Sequence, residues 1–166
     1  MIPLGLTKTG SFFVGRRPHS KGSWVCKTPS CLAKIIDKPN RLKGRRKLTA
    51  PSSQSVRAHL KDHCSDLVQK QLIEAMRSGT ILLGSHQVKK CKTENIEFLL
   101  FSGDSGTRTR SEISFHHNGI ETFTIEISSR KIGELLGRGP RSVLALRRSR
   151  KTHGLIDTLR AWYSLG

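Results

Sequence analysis

The stretch from Gly79 to Ser102, GTILLGSHQVKKCKTENIEFLLFS, constrains the fold more than any other part of the chain. Ile81, Leu82 and Leu83 form a short apolar run, and Gly84 follows it. A helical segment comes next, with Lys89, Lys90 and Lys92 on one side, and then a second apolar run containing Ile96, Phe98, Leu99, Leu100 and Phe101. Strand, glycine, helix and strand in that order make one turn of an α/β layer. A glycine before a helix start leaves backbone N–H groups facing outward, a setting that suits a phosphate. The alternative for the same residues is an ordinary helix start with a solvated lysine face.

Charge narrows the choice of partner. The 166 residues carry 30 Lys and Arg against 12 Asp and Glu, a formal charge of +18. A field of that sign gathers polyanions with a strength that falls as salt rises. No apolar run reaches the length of a spanning helix, and MIPLGLTKTG lacks the apolar core of a signal peptide, so a cytoplasmic protein with no membrane partner is expected. Residues 1–61 hold a net of +13 and the remainder only +5, which suggests two modules with different surfaces.

The predicted modules are a small basic α+β unit over residues 1–48, a linker over 49–61 and an α/β domain over 62–166. In the first, LTKTGSFFVG reads as a hairpin around Gly10, with no partner strand evident before Phe12, Phe13 and Val14. A strand at Trp24 to Cys26 and a helix from Ser30 with Leu32, Ile35 and Ile36 on one face follow, ended by Pro39. With a strand missing, this unit is expected to be incomplete and poorly packed. Trp24 is expected in its core, with base stacking as the alternative. Pro51, Ser52 and Ser53 mark the linker, and Asp62 or Ser65 is expected to cap a helix that runs through Arg77 and is closed by Gly79.

Beyond Ser102 the pattern predicts a helix from Thr107 to His117, a turn at Asn118 and Gly119, and a strand from Thr122 to Ile127. A helix capped by Ser128 or Ser129, a basic glycine loop from Gly137 to Arg141, a strand from Ser142 and a last helix near Leu155 to Tyr163 complete it. This alternation predicts a three-layer α/β/α sandwich around a mixed four-stranded sheet. Cys26, Cys31, Cys64 and Cys91 lack paired close spacing, so reduced, packed cysteines are expected in preference to zinc, whose one candidate set adds His59 and His63 to Cys64. No phosphate-loop or nucleophile-elbow motif is present, so neither catalysis nor a cofactor is expected.

Lys21, Gly22, Ser23, Trp24, Val25 and Cys26, then Cys31 and Leu32, with Arg41, Lys43, Arg45, Arg46 and Lys47 as a basic tail, resemble the YlxR family of small bacterial proteins over residues 6–48. The family's opening segment is not matched. Residues 66–147 look like the kink-turn RNA-binding family of ribosomal proteins, especially its YlxQ-like branch. The first matching motif is Gly84, Ser85, His86, Gln87, Val88, Lys89 and Lys90, and the second runs from Ile132 through Gly133 to Gly137. These resemblances imply RNA binding, in RNA processing or next to translation, with the ribosome or a processing ribonucleoprotein as setting.

By that likeness Gly84 admits an RNA backbone and Lys90 meets a phosphate, while His86 and Gln87 replace the family's Asn and Glu, which weakens base readout. Lys89, Arg138 and Arg141 complete the expected RNA contacts in this half, and Arg16, Arg17, Lys21, Arg45 and Arg46 those of the basic module. Lys89 and Lys90 are expected to matter more than Arg147 and Arg148. DNA binding, or a scaffold role on the ribosome, is the alternative that charge alone allows.

Overall fold

The computed structural model describes residues 1–6, 11–15, 22–42, 50–150 and 152–166, which fall into two compact units. The first comprises Met1–Val68 with Asp157–Gly166, and the second Gln69–Ile156.

In the first unit, β1 (Ile2–Leu6) is the middle strand of an antiparallel sheet, flanked by β2 (Phe12–Val14) and β3 (Gly22–Val25). The turn expected around Gly10 lies outside the described residues, but Phe12–Val14 does have a partner strand, the opening segment itself: Gly5 faces Phe13 across one ladder and Pro3 faces Trp24 across the other. Pro3 is tolerated because it stands near the start of the strand, and its carbonyl accepts the Gly15 N–H at 2.9 Å. Gly5 is required by its neighbour, since a Cβ there would meet the Phe13 ring at 2.5 Å. With Ile2, Leu4, Leu6 and Phe13 at 0–4% exposure, the expectation of poor packing does not hold for these strands. Trp24 is corrected in the other direction: half of it is exposed, so it is not a core residue.

Helix α1 (Pro29–Asp37) buries Leu32 and Ile36 and is followed by a single 3-10 turn at Pro39–Leu42. Helix α2 (Ser53–Arg77) starts inside the stretch expected as a linker. The Ser52 hydroxyl accepts the Ser55 N–H at 3.1 Å, so Pro51 and Ser52 are a helix entry. Within the first unit Val56, Leu60, Cys64 and Val68 line up four apart as one buried stripe. Burial pushes the Cys64 thiol up to about 11. It is packing, and among the described residues no three His, Cys, Asp or Glu side chains gather as metal ligands.

The second unit holds a mixed sheet in the order β4, β7, β5, β6: β4 (Ile81–Leu83), β5 (Ile96–Ser102), β6 (Glu121–Ile125) and β7 (Val143–Arg147). Strands β5 and β6 run parallel and the other pairs antiparallel. Leu82, Leu99, Phe101, Val143 and Ala145 share one face with Val88 of α3 (Ser85–Lys90) and Ile113 of α4 (Thr107–His116). Phe98, Leu100, Leu144 and Leu146 point the opposite way and are equally buried, with Phe98 edge-on to Phe123 at 5.7 Å. Both faces are covered, as a layered α/β arrangement requires. Helix α5 (Ser129–Leu135) links β6 to β7, and α6 (His153–Ser164) ends the chain.

Candidate nucleic-acid interface

Strand β4 stops where Gly84 takes φ 86° and ψ 156°, a backbone state open in practice to glycine alone. Its N–H donates to the Val143 carbonyl at 2.8 Å, which fixes the start of α3 beside the start of β7. A Cβ on Gly84 would stand 3.8 Å from Cδ of Arg141, so the two glycine motifs, about fifty residues apart in sequence, meet at one corner of the sheet.

The second motif is shaped by a buried glycine. Gly133 lies inside α5, and the loop that follows turns back over it: the Gly137 N–H donates to the Glu134 carbonyl and the Arg138 N–H to the Gly133 carbonyl, at 3.1 and 2.8 Å. The Arg141 N–H then donates to the Ser129 carbonyl at 2.9 Å, and its guanidinium donates through Nη1 to Pro140 at 3.0 Å. Nε of Arg141 is buried and has no protein acceptor. Arg138 is exposed, as are His86 and Gln87.

Three sequence expectations change here. Helix α3 is only six residues long, too short to assemble much of a helix dipole, so cationic side chains and not open amides dominate the electrostatics. Oε1 of Gln87 accepts the Leu83 N–H at 3.2 Å, so the oxygen expected to read a guanine edge is engaged within the chain and the side chain's amide hydrogens are what it can offer. Nζ of Lys89 donates to the Glu112 carboxylate, an ion pair that ties α3 to α4 and takes Lys89 off the free surface.

Lys90 is also placed differently from expectation. It stands at the far end of α3 from Gly84 and lines a cleft of about 510 Å³ with Cys91, Lys92, Asn95, Arg147 and Arg148. Lys90 and the two arginines expected to be bystanders are therefore neighbours. Arg16, Arg17, Lys21, Arg45 and Arg46 lie outside the described residues.

Side chains outside the expected RNA contacts hold this region together. His116 and His117, at the end of α4, bond through Nε2 to the Lys89 and Val88 carbonyls at 2.8 and 3.0 Å, fastening the end of α4 to the end of α3. Nδ1 of His117 meets the Thr93 hydroxyl at 3.0 Å. Arg110 donates to Ser105 through Nε at 3.1 and 2.6 Å, to the Ser102 and Gly103 carbonyls through Nη2, and to Thr124 through Nη1 at 3.3 Å. The run of polar residues around a lone Phe115, 89% exposed, is a signal that could have marked α4 as a surface helix with an aromatic on display.

These contacts set the acid response. Burial is the main cause holding the His117 imidazole below its ordinary 6.5. The hydrogen bond and charge of Lys89 hold Glu112 below 4.5, and the Ser102 hydroxyl with the Ser129 amide and hydroxyl hold Asp104 below 3.8. In each case the unfolded chain takes up its proton at higher pH than the folded one, so stability is complete above these ordinary values and is lost as pH falls through them. The urea midpoint is expected to fall from pH 6.5 downward, first through His117 and then through the carboxylates. His117→Gln should flatten the upper part of that fall, and a midpoint that rises between pH 6.5 and 5 would contradict the assignment.

No family model matches the sequence, and no curated protein matches it. Solved structures do: a protein of unknown function from Bacillus halodurans C superposes with a TM-score of 0.50 at 19% identity, over 55% of this chain and 95% of its own. At that identity the likeness speaks for the fold alone.

Proposed function

We propose that the chain is an RNA-binding protein of bacterial type that grips structured RNA through its backbone, in RNA processing or beside translation. The observation that carries this reading is the corner where Gly84 meets Arg141. There a glycine with no side chain to obstruct an incoming strand stands next to a guanidinium whose Nε lacks an acceptor, with Arg138 exposed on the same loop, in a chain of charge +18. A buried donor without a partner is costly, and turning this guanidinium outward onto a phosphate oxygen would supply one. Arginine suits that task because its fork can give two parallel bonds.

The resemblance to the kink-turn family, and of the first unit to YlxR, supports RNA over DNA. With Gln87 turned inward, recognition rests on phosphates and shape more than on base edges. The test is competition of a folded RNA against duplex DNA of equal length at one fixed salt concentration, since affinity without a stated salt has no meaning. RNA is expected to win. Arg138→Ala, at an exposed position, should lower the affinity roughly 3- to 10-fold and reduce the salt slope by about one. Equal competition by DNA would make the chain a general polyanion binder.

A further inference from the structure

The cleft at the other end of β7 has an arrangement of its own. Arg147 and Arg148 end the strand, and the Arg148 N–H donates to the Asn95 carbonyl at 3.0 Å while its Nε reaches Ile96 at 3.4 Å. Lys90 and Lys92 bracket the turn after α3, which is pinned by the Cys91 N–H on Val88 at 3.1 Å and the Asn95 N–H on Lys92 at 3.0 Å. Fixed backbone thus presents four cationic groups to one concavity of about 510 Å³.

Their pairing within the chain is weak. Lys92 approaches Glu94 only at 4.0 Å, with both side chains more than 70% exposed, and Arg148 has Glu97 at 3.6 Å. The first of these, between two exposed groups in water, contributes little; the second engages Nε of Arg148, with Glu97 half-buried. Lys90 and Arg147 have no ion-pair partner among the described residues. A concave surface lined by one sign of charge focuses its field and raises the local concentration of the opposite charge.

We propose that this cleft is a second seat for the phosphodiester backbone of the same RNA, an inference that rests on the RNA-binding reading above. The lining decides against a small ligand: sites for small molecules are mostly apolar with a few polar groups, whereas here Cys91 is the least polar contributor. Geometry supports a continuous strand. Gly84 is bonded to Val143 at one end of β7, and Arg147 stands at the other, about 13 Å away at the usual rise of a strand. One strand of a duplex carries several phosphates over that distance. The corner and the cleft are then two grips on one helical backbone.

The experiment uses the full chain and a folded RNA hairpin with an internal loop, titrated over salt. In a protein with native cysteines, Lys92→Ala together with Arg147→Ala is expected to reduce the salt slope by about two and weaken binding roughly tenfold or more, as the loss of two phosphate contacts requires. A second readout is the cleft's own thiol: in a Cys26→Ser, Cys31→Ser background with Cys64 buried, saturating RNA should slow alkylation of Cys91 at least fivefold. If Arg138→Ala weakens binding while the cleft pair leaves the slope unchanged and Cys91 stays open, the cleft is not a seat and the RNA reading stands. If duplex DNA protects Cys91 as well as RNA does, the cleft takes backbone phosphate without regard to sugar and the claim of a shared RNA path fails. Wild-type protein that binds no RNA while remaining folded overturns both proposals.

Discussion

Gly133→Ala is expected to destabilise the second unit by about 2–4 kcal/mol, one of the largest effects that a single methyl group can have on this chain. The added Cβ would stand 2.4 Å from the Gly139 carbonyl oxygen, 2.7 Å from its carbon and 2.9 Å from the Arg138 oxygen. All three are backbone atoms, so no side chain can swing aside. Alanine is the better helix former by up to about 1 kcal/mol, which opposes the clash and is too small to offset it. Relief requires the loop after α5 to lift, and that loop carries Arg138 and Arg141. RNA affinity is therefore expected to fall even where the variant is still folded. Urea unfolding and RNA titration on the same preparation check both parts, and a Gly133→Ala protein as stable as the parent would mean that the loop does not rest on the helix.

Local rules recovered most elements of the second unit because its local signals and its tertiary structure agree. Its central strands β5 and β7 are largely apolar and buried on both faces, and its helices begin and end at residues with a mechanical reason to be there, such as Ser128, whose hydroxyl accepts the Lys131 N–H at 3.2 Å. The failures lie where one residue type carries two meanings. Pro3 and Gly5 argue against a strand by propensity, and Ile2–Leu6 is nonetheless the centre of a sheet because Phe13 needs the space that Gly5 leaves. Pro51, Ser52 and Ser53 suit a linker and a helix entry equally, and the stripe of Val56, Leu60 and Cys64 decides for the helix.

The site was less legible than the fold, for a physical reason: its properties depend on partners far away in sequence. Lys89 looks like a free cation until Glu112, 23 residues on, is brought to it. Gln87 looks like an acceptor until Leu83 occupies its oxygen. Lys90 and Arg147 belong to different elements, and the antiparallel return of β7 beside β4 and β5 brings the end of that strand next to the end of α3. Spacing can place a residue on a helix face but cannot say which charges remain unpaired once the sheet closes.

A chain lacking residues 1–6 is expected to lose the whole three-stranded sheet of the first unit. Among the described residues β2 and β3 pair only with β1, so each loses its ladder when the middle strand goes, and the Gly15 N–H loses its acceptor on Pro3. Ile2, Leu4 and Leu6 are 0%, 1% and 3% exposed. Truncating one such side chain to alanine costs about 2–5 kcal/mol, and removing three exceeds much of the 5–15 kcal/mol that holds a typical domain together. The single change Leu4→Asp, which buries a carboxylate in the same layer, should act in the same direction without shortening the chain. Amide hydrogen exchange resolves the outcome by residue: protection at residues 12–14 and 22–25 is expected to collapse in both variants, while the amides of Ile96–Ser102 in β5 stay slow. Protected amides in β3 of the shortened protein would mean that these strands have another partner, and the opening segment would then be an accessory to this unit instead of its centre.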